Sequence, residues 1–268
     1  MIVEWNAHMF SRDIERYPFY PTAAYVPSVE RLSTDPVGEY LRRMEAVGID
    51  RAVLVQPEPY GDDHRLVLDC LARDPERLKA TCLFLPKDPD AVHKMEALVA
   101  REPRIVAQRF HAHRGKEMYL DRFYDAPVRA LWRRAGELGL VIELHIGPNY
   151  ARQTYDLARE YADYPVLIDH LAEPHMGTPA EYEDVLAMGA LPNVTMKLSG
   201  LTHFSKEPEP HADARDLVRR VADAFGPERL AWSSGSPAIV DALLDDWPEA
   251  DRARVKGLNL ARLAGFAA

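Results

Sequence analysis

Six of the ten histidines stand at or just after short apolar runs: His8, His111, His113, His145, His170 and His175. Other reactive groups cluster with them. They occur in Glu4-Trp5-Asn6-Ala7-His8, Gln56-Pro57-Glu58, Arg109-Phe110-His111-Ala112-His113, Glu143-Leu144-His145, Asp169-His170 and Lys197-Leu198-Ser199. Alternate residues of an extended chain share a face. Glu4, Asn6 and His8 therefore form one set, Arg109, His111 and His113 a second, Glu143 and His145 a third, and Lys197 and Ser199 a fourth. His8, His145 and His170 together make a three-imidazole set suited to one divalent zinc or manganese ion, with Asn6 as a weak oxygen ligand. Arg109 and Lys197 suit a carboxylate or a carbonyl oxygen; the alternative is that each is spent on a buried ion pair with Glu143 or Asp169. The candidate catalytic groups are Arg109, His111, Glu143, Asp169 and Lys197. Candidate substrate contacts are Asn6, Gln56, Arg109, His113 and Ser199.

Other polar residues are set aside. Asp62-Asp63 reads as a helix cap, and 207–211 as a proline-broken loop. His64, His93 and His203 fall on expected helices or loops and read as surface groups. Ser234 and Ser236 flank a glycine, but the G-x-S-x-G of a nucleophile elbow is absent. Cys70 and Cys82 form no CxxC and read as small buried hydrophobes in a reducing compartment.

Buried strands seldom carry so many polar groups without reason, since each must find a partner or cost stability. The elements that would gather them alternate regularly. Apolar runs rich in leucine and β-branched residues span 1–8, 51–57, 78–85, 105–111, 140–146, 166–170, 194–199 and 229–234. They fit parallel strands covered on both faces. Helical patterns lie between them, at 63–73, 89–99, 127–138, 150–161, 179–188 and 212–225, with one or two more in 239–263. The clearest helix starts with Asp35 before Pro36, an N-cap followed by a first-position proline, and stops at Gly48. Eight such units predict a single (β/α)8 TIM barrel over 1–268, whose reactive groups collect at the C-terminal strand ends. No GxGxxG or GxxxxGK[ST] argues for a nucleotide-binding sheet instead. The loop over 11–34 holds Tyr17, Phe19, Tyr20 and Tyr25, too apolar for a solvated linker. It is expected to cover the barrel mouth as a lid or to form a subunit contact in a homo-oligomer.

Composition agrees with an ordinary globular enzyme. The 268 residues are 47% hydrophobic and 28% charged, enough for a sizeable core. A formal charge of -9 without a basic stripe argues against nucleic acid or an anionic membrane as partner. No basic leader and no long apolar span is visible, so a cytoplasmic protein acting on a small molecule is expected.

The ordered segments resemble the amidohydrolase-related group of (β/α)8 hydrolases, which includes sugar lactonases, pyrone-dicarboxylate lactonase and nonoxidative decarboxylases. The landmarks are residues 4–8, the run 48–57, Ile168-Asp169-His170-Leu171, Lys197-Leu198-Ser199-Gly200, Arg229-Leu230-Ala231-Trp232-Ser233-Ser234-Gly235-Ser236-Pro237, and the closing Asn259-Leu260-Ala261-Arg262-Leu263. The resemblance implies that His8, His145 and His170 match family histidines. Two departures stand out. Asn6 replaces the first histidine of the usual His-x-His, and Gly235 replaces the eighth-strand aspartate that ordinarily holds metal or activates water. A binuclear centre is not expected; one weakly held metal, or the metal-independent reaction of some family lactonases, is. The resemblance implies a hydrolase for a sugar-derived lactone or similar ester, with Asp169, Glu143 or Glu4 as substitute base. The missing aspartate keeps open a lyase, decarboxylase or isomerase working beside a carbonyl, and a non-catalytic binding barrel is the remaining alternative.

Overall fold

A computed structural model describes residues 1–112 and 120–267. Its sheet has eight parallel strands in sequence order: β1 (Val3–Ala7), β2 (Arg51–Leu54), β3 (Leu78–Leu83), β4 (Ile105–His111), β5 (Val141–His145), β6 (Val166–Ile168), β7 (Val194–Leu198) and β8 (Leu230–Trp232). The ring draws nearly shut where Trp5 N donates to Ser233 O at 3.2 Å, linking β1 to the end of β8. Helices cross outside between the strands, the first seven being α1 (Pro36–Val47), α2 (Arg65–Leu71), α3 (Ala91–Arg101), α4 (Ala126–Glu137), α5 (Ala151–Glu160), α6 (Pro179–Ala187) and α7 (Arg215–Phe225). The tail forms three short helices, α8 (Ala238–Leu243), α9 (Glu249–Ala253) and α10 (Asn259–Ala264), where one or two were expected.

All eight expected strands are present, most of them shorter than predicted. The second stops at Leu54 because the chain turns into a 3-10 turn over Glu58–Tyr60 just after Pro57, which has no N–H for a ladder. The sixth stops at Ile168, two residues before the backbone reverses its handedness at His170. Capping follows the sequence. Asp35 Oδ1 accepts from Gly38 N at 3.2 Å, and Gly48 closes α1 in the left-handed conformation.

Period-2 alternation divides the strand residues between two cores. Val3, Trp5, Val53, Val55, Ala107, Val141, Leu167 and Ala231 fill the barrel interior, which Leu260, Ala261 and Ala264 of α10 join. Leu54, Cys82, Phe110, Leu144, Ile168, Met196 and Trp232 pack outward with helix residues such as Met44, Trp132, Leu157 and Phe225. The inward phase that holds Val141 also turns Glu143 and His145 to the axis, and the pairs Arg109–Glu143 and His111–His145 are in register across β4 and β5.

One surface expectation is corrected, and the capping expectation for Asp62-Asp63 holds for Asp63 alone. His64 is buried, and its Nε2 accepts from Leu83 N at 3.0 Å, so it braces the β3 end. Asp63 Oδ1 does accept from Arg65 N at the start of α2, but Asp62 is paired with Lys94. The loop over 11–34 packs on the segment after β2. Phe19 stacks on Tyr60 with ring centroids 5.1 Å apart, and Tyr17 donates to Asp69. Cys70 and Cys82 are buried and unbridged, and burial pushes the Cys70 thiol up to about 12.

Candidate active site

A cavity of about 390 Å³ opens at the C-terminal ends of the strands. Of the expected site residues, Asn6, His8, Arg109, His111, His145, His170 and Ser199 line it. Glu143, Asp169 and Lys197 lie beneath, with no side-chain exposure. Gln56 is spent on the loop after β2, donating from Nε2 to Gly61 O and Asp63 O at 3.1 and 2.9 Å. His113 lies outside the described residues. Glu4 does not share the direction of Asn6 and His8. An irregularity of pairing between Glu4 and Ala7 resets the phase, and Glu4 instead accepts from Tyr40 and Arg43, each at 2.6 Å. That removes it as a substitute base.

Three charges lie under the cavity floor and a fourth, Arg109, forms part of its lining. Lys197 Nζ donates to Glu143 Oε1 and stands 2.7 Å from Asp169 Oδ1, with the Trp5 ring centroid at 5.6 Å. Arg109 Nη2 donates to Asp169 Oδ2 at 3.1 Å. The ion-pair reading of both cations is therefore the observed one, and Lys197 is committed to it entirely. Arg109 also lines the cavity, and its buried Nε has no partner among the described residues. Burial alone would raise Asp169, but Lys197 and Arg109 outweigh it and hold its carboxyl well below the usual range. Glu143 goes the other way, because burial and the Asp169 charge outweigh the two cations.

The imidazoles form a second layer. Arg109 Nη2 also faces His145 Nδ1 at 3.1 Å. A guanidinium only donates, so His145 Nδ1 accepts and the neutral ring carries its proton on Nε2. That nitrogen meets Glu173 Oε1 at 2.7 Å. His111 Nε2 lies 3.1 Å from His145 Nδ1 and 3.3 Å from Glu58 Oε2. His170 Nδ1 meets Ser199 Oγ at 2.9 Å. Gly200 makes that contact feasible, since a Cβ there would fall 2.6 Å from His170 Cβ. Burial, helped by nearby cations, lowers His170 to about 3 and His8 to about 3, so both rings are neutral near pH 7.

Glu173 carries most of what the sequence did not show. It is fully buried, and Oε2 lies 2.8 Å from His203 Nδ1. His203, expected on the surface, is one-third exposed and lines the cavity. Residues His170, Leu171, Ala172 and Glu173 all have positive φ, from 47 to 57°. This left-handed turn brings Glu173 back under His145. The donor atoms of His145, His170 and Glu173 lie within 4.8 Å of one another, and no other such group occurs among the described residues. Glu173 thus stands where His8 was expected. Two imidazoles and a carboxylate suit a zinc-type ion, so these three residues can hold one divalent cation. Gly235 lines the same cavity at φ +84°, where a Cβ would meet nothing within 4 Å.

Comparison with known proteins agrees with this geometry. The chain is 26% identical over 282 residues to 4-sulfomuconolactone hydrolase of Hydrogenophaga intermedia, covering 97% of this chain and 88% of that one. It is 30% identical over 198 residues to L-fucono-1,5-lactonase of Burkholderia ambifaria, covering 71% and 66%. The fold matches a probable 2-pyrone-4,6-dicarboxylic acid hydrolase of Acinetobacter baumannii, solved with citric acid bound, at TM-score 0.82 and 20% identity over 99% of each chain. The family model described as amidohydrolase matches residues 5–264, and with this span matched the chain belongs to the amidohydrolase family.

Proposed function

We propose that the protein hydrolyses a lactone, or a similar ester-like bond, in a small polar and sugar-derived substrate. The observation that carries this reading is Arg109: its guanidinium lines a histidine-walled cavity with a buried, unpartnered Nε. A substrate carboxylate or ester carbonyl satisfies that donor. Two relatives named as lactone hydrolases support the bond class.

In this reading Asn6 and Ser199 contact the substrate from the cavity wall. Glu143, Asp169 and Lys197 act from below, keeping Arg109 and the histidines in place. His145, His170 and Glu173 would hold a zinc or manganese ion; when bound, such an ion supplies Lewis-acid polarisation of the ester carbonyl. Tyr25 reaches the cavity from the loop over 11–34, which supports a covering role for that loop. Among the described residues no helix is long and apolar enough to cross a membrane. A panel of aldonolactones, assayed with and without added zinc or manganese, tests the proposal. Turnover of at least one is expected, and none under any condition sinks it.

The glycine at position 235 favours one second reading, proton transfer beside a carbonyl without water attack. Solvent-deuterium exchange into small keto-acids in the absence of lactone turnover would support it.

A further inference from the structure

Ester hydrolysis needs a group that takes a proton from the attacking water. The β8 wall offers no carboxylate at Gly235, and Glu4, Glu143 and Asp169 are all committed elsewhere. Glu58 at the cavity wall faces His111 Nε2 at 3.3 Å, and Glu209 lines the cavity from an exposed turn. Among the histidines that line the cavity, His145 has its two nitrogens engaged by Arg109 and Glu173, and His170 Nδ1 faces Ser199. His111 Nε2 faces His145 and Glu58, His211 Nδ1 faces Ser205 Oγ and Glu207 O, and His8 is buried at its Nδ1. His203 differs from these in being held by a buried carboxylate while its ring is partly exposed. Its Nδ1 lies 2.8 and 3.1 Å from the two oxygens of Glu173. A carboxylate oxygen accepts, so Nδ1 is the nitrogen that donates, and in the neutral ring Nε2 is the one able to accept a proton. The ring is one-third exposed and lines the same cavity as Gly235 and Arg109. It is held edge-on by His170, with ring centroids 5.1 Å apart.

We propose that His203, oriented by Glu173, is the general base that replaces the missing eighth-strand carboxylate. The inference rests on the lactonase reading above. Water oxygen bonds to the lactone carbonyl carbon as its proton moves to His203 Nε2. The ring C–O bond then breaks, its electron pair stays on the departing oxygen, and His203 returns the proton there. The product is the open hydroxy acid, which loses its acidic proton to solvent. His203 is the catalytic residue and Glu173 the positioning residue. Their arrangement resembles the carboxylate-imidazole half of a hydrolytic triad, in which the acid fixes tautomer and orientation. The backbone strain fits this role. Four successive left-handed residues are costly, and such strain is retained where surrounding structure uses it.

The test uses the full chain and two substrates, an aldono-1,5-lactone and p-nitrophenyl acetate. His203→Gln should lower kcat by about 10²–10³ on whichever is hydrolysed, with KM within about threefold of wild type. Added imidazole should restore part of the activity of His203→Ala but none of that of Glu173→Gln. Long-range 15N–1H spectra at neutral pH should show His203 protonated on Nδ1 in wild type, and no longer exclusively so in Glu173→Gln. A His203→Gln kcat within about threefold of wild type overturns the proposal, as does an Nε2-protonated His203. If only p-nitrophenyl acetate is hydrolysed, the lactonase reading falls, and the His203→Gln comparison on that ester still decides the base.

Discussion

Lys197 is wholly buried, and its ammonium is held between Glu143 and Asp169 while Arg109 shares the second carboxylate. Two cations balance two carboxylates, so removing one leaves charge without compensation. Breaking such a pair from one side typically costs about 3–5 kcal/mol. Lys197→Met should lower stability by about that amount, read as the urea midpoint of unfolding. A shift near zero would mean that Glu143 takes up a proton and absorbs the change. These four residues were legible in the sequence as types and faces. Which of them would meet the cavity was not, because period-2 alternation gives the side of a strand and not the depth along it. Gly235 shows the reverse case. Its identity was legible as a missing carboxylate, but its φ of +84° adds a backbone reason for glycine. Gly235→Asp should cost about 1–2 kcal/mol through that conformation. Steric clash should add little, because open space surrounds the Cβ position; urea titration checks the size.

Among the elements, the turn after β6 does most to build the site. Its four left-handed residues put His170 and Glu173 on converging sides, and neither apolar pattern nor spacing signals such a turn. Ala172 has φ +57° and no polar role, so Ala172→Gly should relieve strain and raise the urea midpoint, by up to about 1 kcal/mol of stability. Loss of stability instead would show that the turn is favoured locally. The strands themselves were legible in place and order, though most end short of the apolar run that marks them, since each run lies between helix signals. The exception is the irregularity in β1, which sends Glu4 to α1 while Asn6 and His8 face the cavity. Strict alternation cannot foresee a change of phase, so Glu4 was grouped with the wrong face. His64 was misplaced for a related reason, since loop position alone does not tell which side chain is folded inward. His203 is exposed as expected, and what the sequence did not show is that its ring also lines the cavity.

At the scale of the molecule, three histidines are held neutral by burial, with His64 lowered to about 4 and His8 and His170 to about 3. Their native values lie below the ordinary 6.5, so the unfolded chain binds protons that the folded chain refuses. The stability they contribute is complete above pH 6.5 and is lost as pH falls toward 3. His64 alone accounts for about 3 kcal/mol across that window. Urea midpoints should therefore drop steadily from pH 7 to pH 5, and His64→Gln should show a shallower drop; an unchanged slope in that variant would sink the assignment. The sequence by itself determined the barrel and its family, because eight alternating apolar runs and a set of ordered motifs are local features. It also determined which residue types crowd one rim. Only the tertiary structure decided how those residues divide into a buried ion network, an imidazole layer and the Glu173–His203 pair. Each of those depends on contacts between distant strands and on one reversed turn, and neither is written in the local preferences of the chain.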